Sequence, residues 1–159
     1  MILVWLGLFV SYLMAGAIYL PPETFARDRA TRKGWQHYAA LVLFYSIPAS
    51  GLAEEILPSP LVAIVAMTLF YIGGALNLWA IRSNPYFSPE IVTPPRVVTD
   101  GAYSICAHPG YTGMMLMALA SWLLVGAQWA LIPLALYGAL LGWRARKESQ
   151  VLRALYECP

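Results

Sequence analysis

His108 stands where a polar loop gives way to a strongly apolar segment, in the stretch Gly-Ala-Tyr-Ser-Ile-Cys-Ala-His-Pro-Gly-Tyr-Thr-Gly at residues 101–113. Chemistry on a molecule dissolved in a membrane would sit at such a junction of oil and water. Pro109 has no backbone N–H and suits the first position of a helix, so a helix is predicted to start there with His108 at or beside its N-cap. That start leaves free N–H groups and a partial positive charge, a seat for a carboxylate or phosphate. His108 and Tyr111 share a face if the helix holds both. Gly113 lets a ligand or a neighbouring helix come close. Gly101 and Tyr103 lie just upstream, in a loop with room to close over a cofactor. A plainer assignment also stands: a His-Pro pair can merely cap a membrane helix, with tyrosines anchoring it at the interface.

The tail holds a second set. Arg144, Glu148 and Leu152 recur every four residues and so lie along one helical face just past the last apolar run. Two readings are open. Arg144 and Glu148 pair with each other on a solvated helix whose basic neighbours meet anionic lipid heads. Alternatively, Glu148 meets the loop around His108, because a final helical hairpin returns the chain to the same side.

The elements that must position these residues are apolar. Of 159 residues, 60% are hydrophobic and 11% charged, and the mean hydropathy is +0.62, which favours a membrane class over a soluble domain. The expected fold is all-α: a polytopic membrane helical bundle with five transmembrane helices. They are placed at Met1–Leu20, His37–Ala53, Leu61–Ile81, Tyr111–Ala127 and Gln128–Trp143, the last two forming a hairpin followed by a cytoplasmic C-terminal helix. Residues 1–159 are expected to form a single integral membrane domain, with three N-terminal helices over 1–81 and the loop, hairpin and tail over 82–159.

Charge predicts the orientation. Arg27, Arg29, Arg32 and Lys33, then Arg82 and Arg96, then Arg144, Arg146, Lys147 and Arg153 all fall on one side of five crossings, which the positive-inside rule makes cytoplasmic. Glu54 and Glu55 fall on the other side, so the N-terminus is expected outside and the C-terminus in the cytoplasm. A signal peptide ending near Ala15-Gly16-Ala17 competes for the first segment, but the run lacks a basic start.

Two cysteines, Cys106 and Cys158, and two distant histidines, His37 and His108, suggest neither a disulfide framework nor a metal cluster. A nucleic-acid partner is not expected. His37, near Trp35 and Tyr38, reads as an interfacial anchor. Asn77 follows Gly73-Gly74 inside an apolar run and is expected to bond a neighbouring helix rather than a substrate. Met114, Met115 and Met117 read as adaptable packing.

With these residues placed, the chain resembles the isoprenylcysteine carboxyl methyltransferases and their relatives, the phospholipid N-methyltransferases. The shared pattern is Gly-x-Tyr, four residues, then His-Pro-x-Tyr-x-Gly, matched at Gly101, Tyr103, His108, Pro109, Tyr111 and Gly113. Residues 84–88 and 96–100 also look like bacterial members, and Arg144, Glu148 and Leu152 fit an Arg-x-x-x-Glu-Glu-x-x-Leu tail. Ala107 stands where the family usually has arginine, and Ser149 where it has the second glutamate.

The resemblance, which covers about residues 77–156, implies an integral membrane methyltransferase of a bacterial inner membrane using S-adenosylmethionine as cofactor. Tyr103, His108, Pro109, Tyr111 and Gly113 would line the cofactor pocket. Glu148 would hold a cofactor amine or orient the acceptor, and Arg144 would position an acidic acceptor or brace Glu148. The partner would be a lipid or lipid-like acceptor entering from the bilayer with a carboxylate, amine or thiol end. Two other readings stay open: a catalytically silent family member acting as a membrane binding or assembly protein, and a sterol-type NADPH reductase.

Overall fold

In a bilayer no water pairs with the backbone, so uncharged apolar runs close their own hydrogen bonds and become helices. The computed structural model describes residues 2–24, 34–52, 57–88, 91 and 93–156. Among them stand five long helices and no strand: α1 (Ile2–Tyr19), α2 (Trp35–Ala49), α3 (Pro60–Ser83), α4 (Pro109–Val125) and α5 (Leu131–Tyr156). Local chemistry sets the ends. The Ser59 hydroxyl accepts from the Val62 N–H at 3.4 Å with Pro60 in the first turn, which starts α3. Gly126, at φ 70°, ends α4 in the left-handed conformation, its N–H bonded to the Trp122 carbonyl at 2.8 Å.

Two boundaries differ from expectation. α2 begins at Trp35 and stops at Ala49, with Pro48 inside its last turn, instead of running from 37 to 53. The expected fifth crossing and the C-terminal helix are one helix of 26 residues, because Arg, Ala, Lys, Glu and Leu continue a helix as readily as the apolar run before them. By length and apolarity α1, with 18 residues, and α3, with 24, can each cross a membrane, and α4 is apolar but shorter at 17. α2 has 15 residues, about 22 Å at a rise of roughly 1.5 Å each, short of a core about 30 Å thick. Length and apolarity together thus support two of the five expected spans. Arg27, Arg29, Arg32, Lys33, Glu54 and Glu55 lie outside the described residues.

α3 and α4 make the most extensive contact of the bundle. A Cβ built on Gly73 would lie 2.6 Å from the Gly113 carbonyl oxygen, and one on Gly113 would lie 2.5 Å from the Gly73 oxygen. The two backbones touch because neither residue has a side chain. Beside this contact, Asn77 is 3% exposed and bonds two other helices. Its Nδ2 donates to the Gly110 carbonyl of α4 at 3.0 Å, and its Oδ1 accepts from the Tyr12 hydroxyl of α1 at 2.7 Å. Asn77 thus bonds neighbouring helices, as expected. Replacing Tyr12 with Phe should cost about 0.5–1.5 kcal/mol, read as a lower denaturation midpoint in mixed micelles. An unchanged midpoint would mean that the bond adds nothing net.

The core is aromatic and small-residue packing. Trp5 stacks on Phe9 at 5.2 Å and donates Nε1–H to the Ser121 hydroxyl at 2.7 Å, tying α1 to α4. Tyr137 of α5 packs on Phe44 of α2 at 5.7 Å. Outward faces carry Leu3, Ile18 and Leu61, at 78%, 85% and 71% exposure. Water would penalise such a belt, whereas lipid tails solvate it.

Candidate active site

Pro109 fixes the start of α4, and His108 takes the N-cap position at φ −133° and ψ 62°. The His108 side chain makes no cap bond. Its ring meets α5. Nδ1 lies 3.2 Å from the Glu148 carboxylate and Nε2 lies 2.8 Å from the Ser149 hydroxyl. The same ring stacks on Tyr111 at 5.7 Å and 26°. Arg144 Nε reaches the Tyr111 hydroxyl at 3.5 Å, with the guanidinium 5.9 Å from that ring's centre. The meeting of Glu148 with His108, one of the two tail readings, is present in the structure.

The loop before α4 is built on its own bonds. Asn84 Oδ1 accepts from the Tyr86 N–H at 2.8 Å, and the Phe87 N–H closes on the Asn84 carbonyl at 3.0 Å, so Asn-Pro-Tyr-Phe forms a turn. Gly101, at φ 61°, needs the left-handed conformation, and a Cβ there would collide with the Ser83 hydroxyl. The turn Gly101–Ser104 then sets the Tyr103 hydroxyl 3.3 Å from Asn84 Nδ2. Burial pushes the Tyr103 phenol up from its ordinary value; the Asn84 bond pulls it back, and the Glu148 charge adds to the rise. Tyr103 therefore stays a neutral hydroxyl near pH 7 and lines the site without titrating.

These parts surround a cavity of about 800 Å³. Tyr103, His108, Tyr111, Arg144 and Glu148 all line it, as do Ser149 and Leu152. Arg144 is only 6% exposed, while Glu148 is about one-third exposed and His108 about one-fifth. Two residues expected in the pocket lie elsewhere. Pro109 is fully buried against protein, and Gly113 faces Gly73 and Asn77 of α3, so neither lines the cavity. Of the two roles open to Gly113, approach of a neighbouring helix is the one realised.

The cavity also holds residues not assigned to it by sequence. Tyr12 and His37 reach it from α1 and α2. The sequence reads His37 as an interfacial anchor; the packing of Trp35 against Trp143, with ring centres 6.1 Å apart, brings its helix end to α5. No local signal marks either residue, since each arrives through helix packing. Ser149 is merely a departure from the tail pattern by sequence, yet it holds a His108 nitrogen. Among the described residues no group of histidine, cysteine or acidic side chains could hold a metal ion.

The family model for phospholipid methyltransferase matches residues 61–158. The chain belongs to the phospholipid methyltransferase family. No curated protein and no solved structure matches it. The matched segment of this phospholipid methyltransferase family member begins in α3 and carries every residue from Tyr103 to Glu148 named above. Tyr12 and His37 come from outside it, so α1 and α2 contribute cavity wall beyond the family segment. The family makes the chain a membrane methyltransferase in general terms, and its apolar helices agree.

Proposed function

We propose that this chain transfers a methyl group from S-adenosylmethionine to the polar end of a phospholipid held beside His108 and Glu148. The observation that carries the reading is the meeting of His108, Tyr111, Arg144 and Glu148, from two separate helices, on one cavity wall in a phospholipid methyltransferase family chain. About 800 Å³ lies in the usual range for small-molecule sites, roughly 300–1,000 Å³.

The residues present fit the cofactor. A sulfonium would find the aromatic faces of Tyr103 and Tyr111 and the Glu148 carboxylate. Its amino-acid carboxylate would find Arg96 or Arg144 and the first turn of α4, which reaches the cavity at Gly110. Bound there, the cofactor supplies an electrophilic methyl group. The rings of Tyr103, Tyr111 and Phe87 exclude water, and the packed walls align the acceptor, from which most of the rate should come. An ionised carboxylate acceptor would need no base, whereas an amine would need one, with His108 and Glu148 in place.

The same reading has one membrane domain crossing the bilayer five times, with α4 and α5 a transmembrane hairpin, the N-terminus outside and the site at the cytoplasmic face. It is supported by contacts that run in opposite directions along the pair. A Cβ on Gly138 would meet Met115 at 3.4 Å, while His108, farther back on α4, meets Glu148, farther on along α5.

The test is calorimetric titration of S-adenosylmethionine into detergent-purified protein, followed by transfer of a labelled methyl group to phospholipids of defined headgroup. Saturable binding and labelled lipid are expected. No binding by folded protein would overturn the reading. Binding without transfer to any headgroup would turn it toward a silent binding protein.

A further inference from the structure

Both ring nitrogens of His108 are engaged, one by Glu148 at 3.2 Å and the other by Ser149 at 2.8 Å. The two partners are not equivalent. An ionised carboxylate only accepts, so it calls for a proton on Nδ1. A neutral imidazole has one N–H, so Nε2 then carries the lone pair and the Ser149 hydroxyl must donate to it. The basic nitrogen of the ring is therefore covered by a hydroxyl and is not open to an acceptor in the cavity. A proton leaving an acceptor in the cavity would meet the Ser149 hydroxyl before it met Nε2.

A second observation gives that proton a way out. A smaller recess of about 360 Å³ lies against His108, Arg146, Ser149, Gln150 and Arg153. His108, Ser149 and Arg153 line both this recess and the main cavity. The hydrogen-bonded pair thus stands, beside Arg153, between two spaces. The charged and titratable groups facing it are Glu148, Arg146 and Arg153 from α5, with Tyr111 from α4 stacked on the ring and Arg144 beyond it.

We propose that Ser149 relays a proton between the methyl acceptor and His108 wherever the acceptor is an amine that must lose one. This rests on the methyltransferase reading above. An amine arriving as an ammonium passes an N–H proton to Ser149 Oγ while the Oγ proton moves to His108 Nε2. The lone pair left on nitrogen forms the new N–C bond, and the pair of the broken S–C bond stays on sulfur. His108, now an imidazolium held by Glu148, returns the proton to water in the recess. The serine that replaces the family's second glutamate is thereby a working part of the site.

Two measurements test the relay. The first needs no cofactor: nitrogen NMR of histidine-labelled protein at a pH where His108 is neutral. Only His37 and His108 appear, and His37→Gln assigns them. His108 is expected with its proton on Nδ1; a proton on Nε2 in the wild type would make Ser149 an acceptor and overturn the relay. The second compares methyl transfer in Ser149→Ala and Ser149→Thr. Alanine should lower kcat about 10²-fold and alter the pH profile while the cofactor Kd and lipid KM stay within about threefold, and threonine should restore most of the rate. Wild-type transfer undiminished in Ser149→Ala overturns the relay alone. A folded wild type with no transfer overturns the methyltransferase reading and the relay together.

Discussion

Replacing His108 with Ala is expected to lower kcat/KM for methyl transfer by about 10²–10⁴-fold while the helices stay folded. The ring is the hub of the polar wall. It holds Glu148 at 3.2 Å and Ser149 at 2.8 Å, and stacks on Tyr111 at 5.7 Å. Without it, a carboxylate, a hydroxyl and an aromatic ring each regain rotamer freedom inside the site, and alignment is lost along with the base. The ring borders a cavity and is about one-fifth exposed, so its loss leaves no void among apolar side chains. Circular dichroism and the denaturation midpoint should therefore stay near wild type. Glu148→Gln makes the comparison sharper. Its amide oxygen can still accept from Nδ1, so a drop of only about tenfold would assign the carboxylate an orienting part, whereas a loss equal to that of His108→Ala would make its charge essential. Transfer by His108→Ala within threefold of wild type would remove His108 from the chemistry.

The largest effect on stability is expected from Gly113→Ala. The new methyl carbon would stand 2.5 Å from the Gly73 carbonyl oxygen and 2.8 Å from the Asn77 nitrogen. Both are backbone atoms of α3, so no side-chain rotation relieves the clash and the helices must part. Overpacking of this kind costs about 1–3 kcal/mol or more. The movement also carries Asn77 away from Gly110 and Tyr12, so the start of α4 loses its 3.0 Å bond and the Asn77–Tyr12 link to α1. A fall in denaturation midpoint together with weaker cofactor binding is the expected result. Gly142→Ala is the matched control, since a Cβ there meets nothing within 4 Å and alanine favours a helix over glycine by roughly 1 kcal/mol. Equal midpoints for the two variants would mean that the α3–α4 contact yields easily.

How much of this could be read in the chain depended on whether the signal was local. Pro109 announces a helix start because proline lacks the N–H that the first turn leaves unpaired in any case. Arg144, Glu148 and Leu152 share a face because the helical period places them there, and the structure keeps all three on the cavity wall. Asn77 inside an apolar run signals a bond to another helix, since lipid offers it no partner, and it makes two. At α2 the apolar run of residues 37–53 and the helix differ in extent, the helix having 15 residues from Trp35 to Ala49. Apolarity says that a segment avoids water, but it does not say how much of the run stays helical.

The remaining features depend on which faces meet. Gly113 permits close approach by any object, and only the packing of α4 on α3 shows that the object is another backbone. Pro109 carries a motif position yet is buried against protein, while His37 and Tyr12, which no motif marks, line the cavity from α2 and α1. Ser149 gains its importance from a histidine 41 positions away. Periodicity, caps and charge act over a few residues, so the chain alone specifies helices, their faces and the oily setting. Contacts between distant residues depend on crossing angle and rotation of whole helices, which follow from the summed fit of many side chains. For that reason the chemical inventory could be read residue by residue, while its assembly around one cavity required the fold.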